Sequence, residues 1–353
     1  MNQRIVIMAG GTGGHVLPAL AVAEEMLLRG WQVSWLGTQK GLESRLVPSR
    51  GIEIDWLAVE GIRGKGIVSK VIAIFKLMQA CLQALRILKQ RKPNVVLGMG
   101  GFVAGPGGLM AKILGIPVVI HEQNRIPGTT NRLLAKIVAC KILEAFPDSF
   151  VKSMQAIWTG NPLLNTFLTQ PEKAEWNIQA GRSLRVLVVG GSQGAKVLND
   201  HVPYALAEFG GIEVKHQTGY AMHQEVEKCY SDLGISAEVL AFIDDMPTVY
   251  QWADLIICRA GAMTISEVAA CGLPSILIPL LNAIDDHQTA NANYLTDAGA
   301  ALLLPQTELN TENLRKKIEQ AINSLPAMRQ AAKQKAKLSA TQSVADICIA
   351  EAA

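Results

Sequence analysis

Two stretches far apart in the chain are built to one plan. "RIVIMAGGTGGH" (residues 4–15) and "RVLVVGGSQGA" (185–195) each pass from a basic residue through four or five β-formers into a glycine loop, then into helix-forming sequence. A short strand that is apolar on both faces belongs inside a parallel sheet covered by helices. Glycine at its end lets the chain turn sharply and lets backbone approach something closely. A chain that begins this pattern twice is constrained to an α/β architecture with two parallel sheets. One very large sheet is the weaker account, because 353 residues exceed what a single core ordinarily holds.

The rest of the chain continues the alternation. Residues 4–8, 32–36, 95–98 and 118–121 read as strands in the first half, and 185–189, 213–216, 238–241, 255–258 and 275–278 in the second. Helical patterns fall between them at 18–29, 67–90, 107–114, 197–208, 263–271 and 289–297. Strands alternating with helices give βαβ units, so the expected fold is two Rossmann-like, doubly wound domains. The boundary falls within "WTGNPLLNTFLTQPEKAEWNIQAGRS", where Pro162, Pro171 and Gly181 interrupt weak periodicity. We place the domains at 1–162 and 163–340. The C-terminal stretch reads as helices broken at Pro326.

Composition narrows the setting. Hydrophobic residues make up 49% and charged residues 18%, and the formal net charge is +3. That is a globular balance, and it gives no reason to expect a nucleic-acid partner. The cysteines (Cys81, Cys140, Cys229, Cys258, Cys271, Cys348) are scattered without a Cys-x-x-Cys pair, which argues against a zinc ribbon or a disulfide framework. Residues 4–9 are too short for the apolar segment of a signal peptide. No apolar stretch reaches the ~18 residues of a membrane span. The expectation is a cytosolic chain with room for attachment to a surface.

Glycine loops recur where strands feed helices: "GGTGGH" (10–15), "GMGGFVAGPGG" (98–108) and "GGSQGA" (190–195), with "RAGAMTISE" (259–267) similar in kind. At that edge of an open sheet, helix N–H groups attract anions. A tight turn with no ligand explains any one loop; their recurrence points to a phosphate-bearing ligand in a cleft between the domains. No loop carries the NAD fingerprint or the Walker A pattern. No Asp-x-Asp is present to hold a metal on a diphosphate, and the helix start at Met263 supplies donors that would replace a cation. Glu267, one turn in, either accepts both hydroxyls of a ribose or complements the helix dipole. Spacing alone does not separate the two.

"GGTGGHVLPALAVAEEM", "GIRGKG", "GMGGFVAGP", "HEQN", "GGSQGA", "FIDDM", "RAGAMTISE" and "DDHQTANA" occur in this order between Arg4 and about Ala300. Together they resemble the MurG family of peptidoglycan glycosyltransferases, which add N-acetylglucosamine to undecaprenyl-diphospho-N-acetylmuramoyl-pentapeptide (lipid I) to make lipid II. The resemblance implies a GT-B fold, with two Rossmann-like domains facing across a cleft and a final helix at about 341–353 packing back on the first. It implies UDP-N-acetylglucosamine held mainly by the second domain. Ser192 would contact the diphosphate and Ile243 would hold the uracil through its backbone. Ala262, Met263, Thr264, Ile265, Ser266 and Glu267 would form the donor helix start, with Glu267 on the ribose. Gln288 and Asn124 would bond the sugar hydroxyls, and Thr12, Gly13 and Gly14 would close the pocket. One position departs: after "GNP" the family usually has arginine, and here Leu164 stands there, without the charge or the planar donor fork.

Inverting transfer in one displacement needs a general base and stabilisation of the leaving diphosphate, but no covalent nucleophile; no cofactor is expected, and without an Asp-x-Asp no tightly held metal. His15 is the best-placed imidazole, as base, as phosphate donor, or as a helix-start residue that only packs. Glu122 is the rival base. His287 reads as positioning Gln288, while His121, His201, His216 and His223 read as structural or exposed. The loop bearing Gly100, Gly101 and Phe102 either cradles the acceptor's diphosphate or is a close-packed turn.

Residues 67–92, "IVSKVIAIFKLMQACLQALRILKQRK", carry one narrow polar stripe of Lys76, Gln79, Gln83, Arg86 and Gln90 on an otherwise apolar helix. Lys65 and Lys70 precede it, and Lys89, Arg91 and Lys92 close it. A core helix with one wet edge explains most of this. An exposed patch of Ile74, Phe75, Met78 and Leu82 ringed by Lys70 and Lys89 suits an anionic bilayer. The resemblance and its lipid substrate favour the patch, at the cytoplasmic face of the bacterial plasma membrane and near other cell-wall enzymes. Competing functions are a related GT-B glycolipid synthase, a UDP-N-acetylglucosamine 2-epimerase-like isomerase, and a non-catalytic nucleotide-sugar-binding scaffold.

Overall fold

The sheets form where the apolar runs predict. In the computed structural model, which describes residues 3–59, 67–169, 181–281 and 283–353, the strand β1 (Arg4–Met8) buries Ile5, Val6, Ile7 and Met8 to 1% exposure or less. Each such side chain contributes roughly 1.5–3 kcal/mol. The motif "GIRGKG" with Lys65, and the side chain of Lys70, lie outside the described residues.

The chain divides into unit 1 (Met1–Leu164 with Lys337–Ala353) and unit 2 (Asn165–Ala336). In unit 1, β1 is followed by α1 (Gly13–Leu28), β2 (Gln32–Gly37), α2 (Glu43–Leu46), β3 (Glu53–Trp56), α3 (Ile67–Arg91) and β4 (Val95–Gly98). Next come α4 (Ala104–Ile113), β5 (Val118–Glu122), α5 (Thr129–Ile137), β6 (Lys141–Glu144) and β7 (Ile157–Trp158). The described strands form one parallel sheet in the order β3-β2-β1-β4-β5-β6-β7. Alternation along β1 sends Ile5 and Ile7 into one apolar cluster and Val6 and Met8 into another, so both faces are covered.

Unit 2 runs α6 (Asn165–Leu168), β8 (Leu184–Val189), α7 (Lys196–Leu206), β9 (Ile212–Gln217), α8 (His223–Asp232), β10 (Ser236–Leu240), α9 (Met246–Trp252) and β11 (Leu255–Cys258). It continues through α10 (Ala262–Ala270), β12 (Ser275–Leu277), α11 (His287–Thr296), β13 (Ala301–Leu303), α12 (Thr311–Ile322) and α13 (Leu325–Lys335). Its sheet is also parallel, ordered β10-β9-β8-β11-β12-β13. The closing helix α14 (Ala340–Glu351) belongs to unit 1, where Val344, Ala345 and Cys348 join the cluster of Ile5 and Ile7. The Thr341 hydroxyl ties it to Leu163, donating to the carbonyl at 2.9 Å and accepting from the N–H at 3.1 Å.

Both strand orders reverse direction beside the first strand, between β1 and β4 and between β8 and β11. In such sheets, ligands bind at the carboxyl ends of the strands flanking that reversal. Topology therefore selects residues 9–15 and 99–103 in unit 1, and residues 190–195 and 259–262 in unit 2.

Several boundaries differ from expectation. The first helix begins at Gly13, not residue 18: the Thr12 carbonyl accepts the N–H groups of His15 (3.1 Å) and Val16 (3.2 Å), so the second glycine pair is already helical. The helix expected at 107–114 begins at Ala104. There Gly107 lets the helix press on the sheet, since a Cβ would stand 2.9 Å from Leu36 Cδ2 and overlap the Met8 sulfur. Strands β3, β6, β7 and β13 were not anticipated, and β10 starts two residues early. All lie toward sheet margins, where strands are short and their apolar signal is weak. The break expected at Pro326 falls just before it: α12 ends at Ile322 and α13 begins at Leu325, with Pro326 in its first turn.

Candidate active site

At the unit 1 reversal the two glycine loops press together. A Cβ on Gly101 (φ +79) would overlap the Gly10 carbonyl oxygen, and one on Gly100 (φ +96) would stand 2.9 Å from Cδ2 of His15. His15 is half-buried in the first turn of α1, and its Nδ1 is buried with no hydrogen-bond partner among the described residues. Desolvation lowers its pKa; the charges of Glu122 and Glu43 and the Gly10 carbonyl oppose that shift without cancelling it. His15 is therefore a neutral imidazole near pH 7, able to accept a proton and poorly suited to pair with phosphate as a cation. Thr12 caps the helix through its backbone only, and Gly13 and Gly14 complete the turn.

Glu122 ends β5 in a different condition. Its Oε1 accepts from the Asn124 N–H (2.9 Å) and Asn124 Nδ2 (3.3 Å), and its Oε2 from the Gly128 N–H (3.0 Å) and Asn131 Nδ2 (2.9 Å). A carboxylate accepting from these four donors ties the segment 123–131 together. Asn124 gives it the backbone N–H and one amide hydrogen. Phe102 projects from the second loop, 57% exposed. His121 is fully buried: Nε2 donates to the Gly160 carbonyl (2.9 Å), Nδ1 faces Gln123, and burial holds its pKa at about 4.

In unit 2 the loop after β8 is equally tight. A Cβ on Gly194 would overlap the Thr218 carbonyl, and Ser192 stands exposed at the tip. Gln217, buried at the end of β9, joins this loop to the next segment: its Nε2 donates to the Gly191 carbonyl (2.7 Å) and its Oε1 accepts the Ile243 N–H (2.8 Å). Ile243 thus has its N–H committed, which leaves the carbonyl as its backbone group for a ligand.

Helix α10 starts at Gly261 with no side-chain cap. Ile265 makes the first intrahelical bond, to the Gly261 carbonyl at 2.9 Å. Its N–H is therefore spent, so of the residues expected to meet a phosphate only Ala262, Met263 and Thr264 precede that bond. Ser266 turns its hydroxyl back to the Ala262 carbonyl (3.0 Å). Glu267 is 9% exposed and lies beyond the first helical turn, which contains no acidic residue; complementing the dipole is not its role. The Tyr250 hydroxyl donates to its Oε2 at 3.1 Å, and burial pushes its pKa up to about 7. Nearby, the Arg259 guanidinium donates to the carbonyls of Ile278 (3.1 Å) and Pro279 (3.2 Å), while Gln288 Oε1 accepts the Leu280 N–H (3.0 Å). That leaves the Gln288 amide nitrogen as its donor to a ligand.

Leu164 is half-buried and packs on the apolar cluster of unit 1. On α3, Ala80, Ala84 and Leu88 face the core, while Ile74 (60%), Phe75 (70%), Met78 (60%) and Leu82 (58%) are exposed. The wet-edge reading fails for these four. Lys89 is exposed at the basic end of the helix. Phe102, Ile113 and Leu133 extend the exposed apolar residues onto the α4 and α5 region. No helix among the described residues is long and apolar enough to cross a membrane, and none of their His, Cys, Asp and Glu side chains group to hold a metal ion.

Sequence reasoning missed Glu43, Gln217, Tyr250 and Arg259. A glycine loop on each of two parallel sheets, with an uncapped helix start and a buried carboxylate in the second, defines a GT-B glycosyltransferase. The glycosyltransferase family 28 N-terminal domain matches residues 5–142 and the family 28 C-terminal domain matches 185–348, and the chain belongs to that family. The UDP-N-acetylglucosamine--N-acetylmuramyl-(pentapeptide) pyrophosphoryl-undecaprenol N-acetylglucosamine transferase of Methylococcus capsulatus is 56% identical over 360 residues, covering 100% of this chain and 99% of the relative. The protein of the same name from Shewanella loihica is 50% identical, with coverage of 99% and 97%. The crystal structure of Acinetobacter baumannii MurG matches with TM-score 0.83 and 41% identity over 99% of both chains. A UDP-GlcNAc 2-epimerase from Neisseria meningitidis matches at TM-score 0.68 over 99% of this chain and 100% of its own, but at 13% identity that likeness concerns the fold alone.

Proposed function

We propose that the chain transfers N-acetylglucosamine from UDP-N-acetylglucosamine to the 4-hydroxyl of the muramoyl sugar of lipid I, with inversion at the anomeric carbon. The acceptor oxygen forms the new bond to C1 as the bond from C1 to the diphosphate breaks, UDP departs, and the acceptor proton passes to His15. Unit 2 holds the donor. The start of α10 and Ser192 meet the diphosphate, the Ile243 carbonyl accepts from the uracil, Glu267 accepts from the ribose hydroxyls, and Gln288 donates to the sugar. Unit 1 holds the acceptor, with Gly100, Gly101 and Phe102 beside its diphosphate. The Methylococcus relative's name supports this acceptor over a glycolipid or an isomerised sugar.

The observation that carries the chemistry is the state of His15: desolvated, neutral and placed at the sheet reversal against a second glycine loop. That favours a base over a cationic phosphate contact. The exposed apolar ridge of α3, with Lys89 at its basic end, is the surface that meets anionic lipid. It keeps the enzyme as a peripheral protein on the cytoplasmic face of the plasma membrane, where peptidoglycan precursors for growth and division, and other cell-wall enzymes, are met. The test is UDP release from UDP-N-acetylglucosamine with and without a lipid I analogue. Acceptor-dependent release that falls at least ~100-fold in a folded His15→Ala variant supports the proposal. Sugar isomerisation without acceptor, binding without turnover, or near-normal turnover in that variant would each reject it.

A further inference from the structure

Glu43 is a fully buried carboxylate to which the transfer reaction assigns no task. It opens α2, and the His15 loop is arranged around it. Its Oε2 accepts the Gly11 N–H at 2.9 Å, and its Oε1 accepts the Thr38 N–H (2.9 Å) and the Thr38 hydroxyl (2.7 Å). The Leu42 N–H donates to the Gly11 carbonyl at 3.1 Å, so Leu42 and Glu43 together hold both polar groups of Gly11.

Three glycines make room for the carboxylate. A Cβ on Gly10 would stand 2.7 Å from Oε1, one on Gly37 2.8 Å from Cγ, and one on Gly41 would overlap the carboxylate itself. Burying a charged side chain is costly unless its lone pairs are met, and here three donors meet them. Gly11 (φ +99) leads directly into Thr12, whose carbonyl receives the His15 N–H. The clamp on Gly11 therefore sets where α1 starts and where the imidazole lies.

We propose that Glu43 is the positioning residue for His15, fixing the turn at Gly10–Thr12 and, with it, the orientation and basicity of the imidazole. The charged groups that act on His15 are Glu122 from β5 and Glu43 from α2; Gly100, from the second glycine loop, and Asn131, from α5, are neutral. Glu122 is occupied with the segment 123–131, whereas Glu43 grips the loop that carries His15. The catalytic consequence rests on His15 acting as the base; the positioning does not.

Two variants of the full chain test this. Glu43→Gln keeps the shape, removes the charge and turns an amide group toward one of the donors. The His15 ring is followed by NMR titration, assigned by its loss in His15→Ala. The titration midpoint should fall by about half a pH unit or more, and turnover by at least ~10-fold, while UDP affinity stays within about two-fold. An unmoved midpoint overturns the proposal even if His15→Ala abolishes transfer. A shifted midpoint beside a fully active His15→Ala would instead remove the imidazole from the chemistry and leave the positioning standing. Thr38→Val, which deletes one donor and retains the charge, decides the matter should Glu43→Gln not fold: turnover should fall roughly 3–10-fold with UDP affinity unchanged, and wild-type turnover would overturn the proposal.

Discussion

Gly100 and His15 meet where the order of the first sheet reverses, with the position a Gly100 Cβ would occupy 2.9 Å from Cδ2 and 3.0 Å from Nε2 of the imidazole. Glycine is needed there twice over, for space and for φ +96. Gly100→Ala should cost about 1–3 kcal/mol of stability through backbone strain. It should also lower turnover at least ~10-fold by displacing the imidazole. UDP affinity, assigned to unit 2 in the proposed reaction, should not change. Thermal denaturation, turnover and calorimetric UDP titration check the three parts, and wild-type turnover would contradict the contact.

Gln217 links the two segments that carry Ser192 and Ile243, both assigned to the donor in the proposed reaction. Gln217→Leu strands the buried Ile243 N–H, at roughly 1–3 kcal/mol, and takes from the Gly191 carbonyl one of its two donors, the Gly194 N–H remaining. The expected outcome is UDP binding at least ~10-fold weaker in a chain that still folds. Unaltered UDP affinity would show that the bridge does not shape the donor site.

The glycine loops were legible in the sequence because positive φ and close backbone contact leave glycine almost no substitute, and β1 because an apolar strand buried on both faces has a plain signature. Glu43 and Gln217 were not legible. Glu43 reaches Gly11 across 32 residues and Gln217 reaches Ile243 across 26, so neither bond leaves a local pattern. The bonds of Glu122 to Gly128 and Asn131 were not legible for the same reason. Conversely, "AGP" (104–106) looked like loop and is helix, while Gly107 and Gly108, inside the expected helix, serve packing against Leu36 and Leu134.

The exposed ridge of α3 can be altered without touching the core. Phe75 and Leu82 are 70% and 58% exposed, so Phe75→Glu with Leu82→Glu should change stability by no more than about 1 kcal/mol. Sedimentation with anionic vesicles should show binding lost, while transfer to a short-chain soluble acceptor persists. Full vesicle binding by this variant would locate attachment elsewhere on the chain.

Glu267, assigned to the ribose in the proposed reaction, should tie donor binding to pH. Burial raises its pKa from 4.5 to about 7. Between those values the folded chain holds a proton that the unfolded chain has lost, so this group's contribution to stability falls as pH rises from about 4.5 to 7. Above pH 7 the fold carries the full cost of the ionised buried carboxylate, roughly 3 kcal/mol. Glu267→Gln still accepts from the Tyr250 hydroxyl but cannot ionise. It should therefore melt several degrees above wild type at pH 8.5 and close to it at pH 4.5. Binding of a ribose by the carboxylate runs the other way: UDP affinity should weaken as pH falls through about 7, and Glu267→Gln should lose at least ~10-fold at pH 8 together with that part of the pH dependence. Melting curves at the two pH values and UDP titrations from pH 6 to 8.5 measure both effects. A variant whose melting difference is the same at both pH values would show that the carboxylate is not desolvated. One that binds UDP as wild type does would show that it does not hold the ribose.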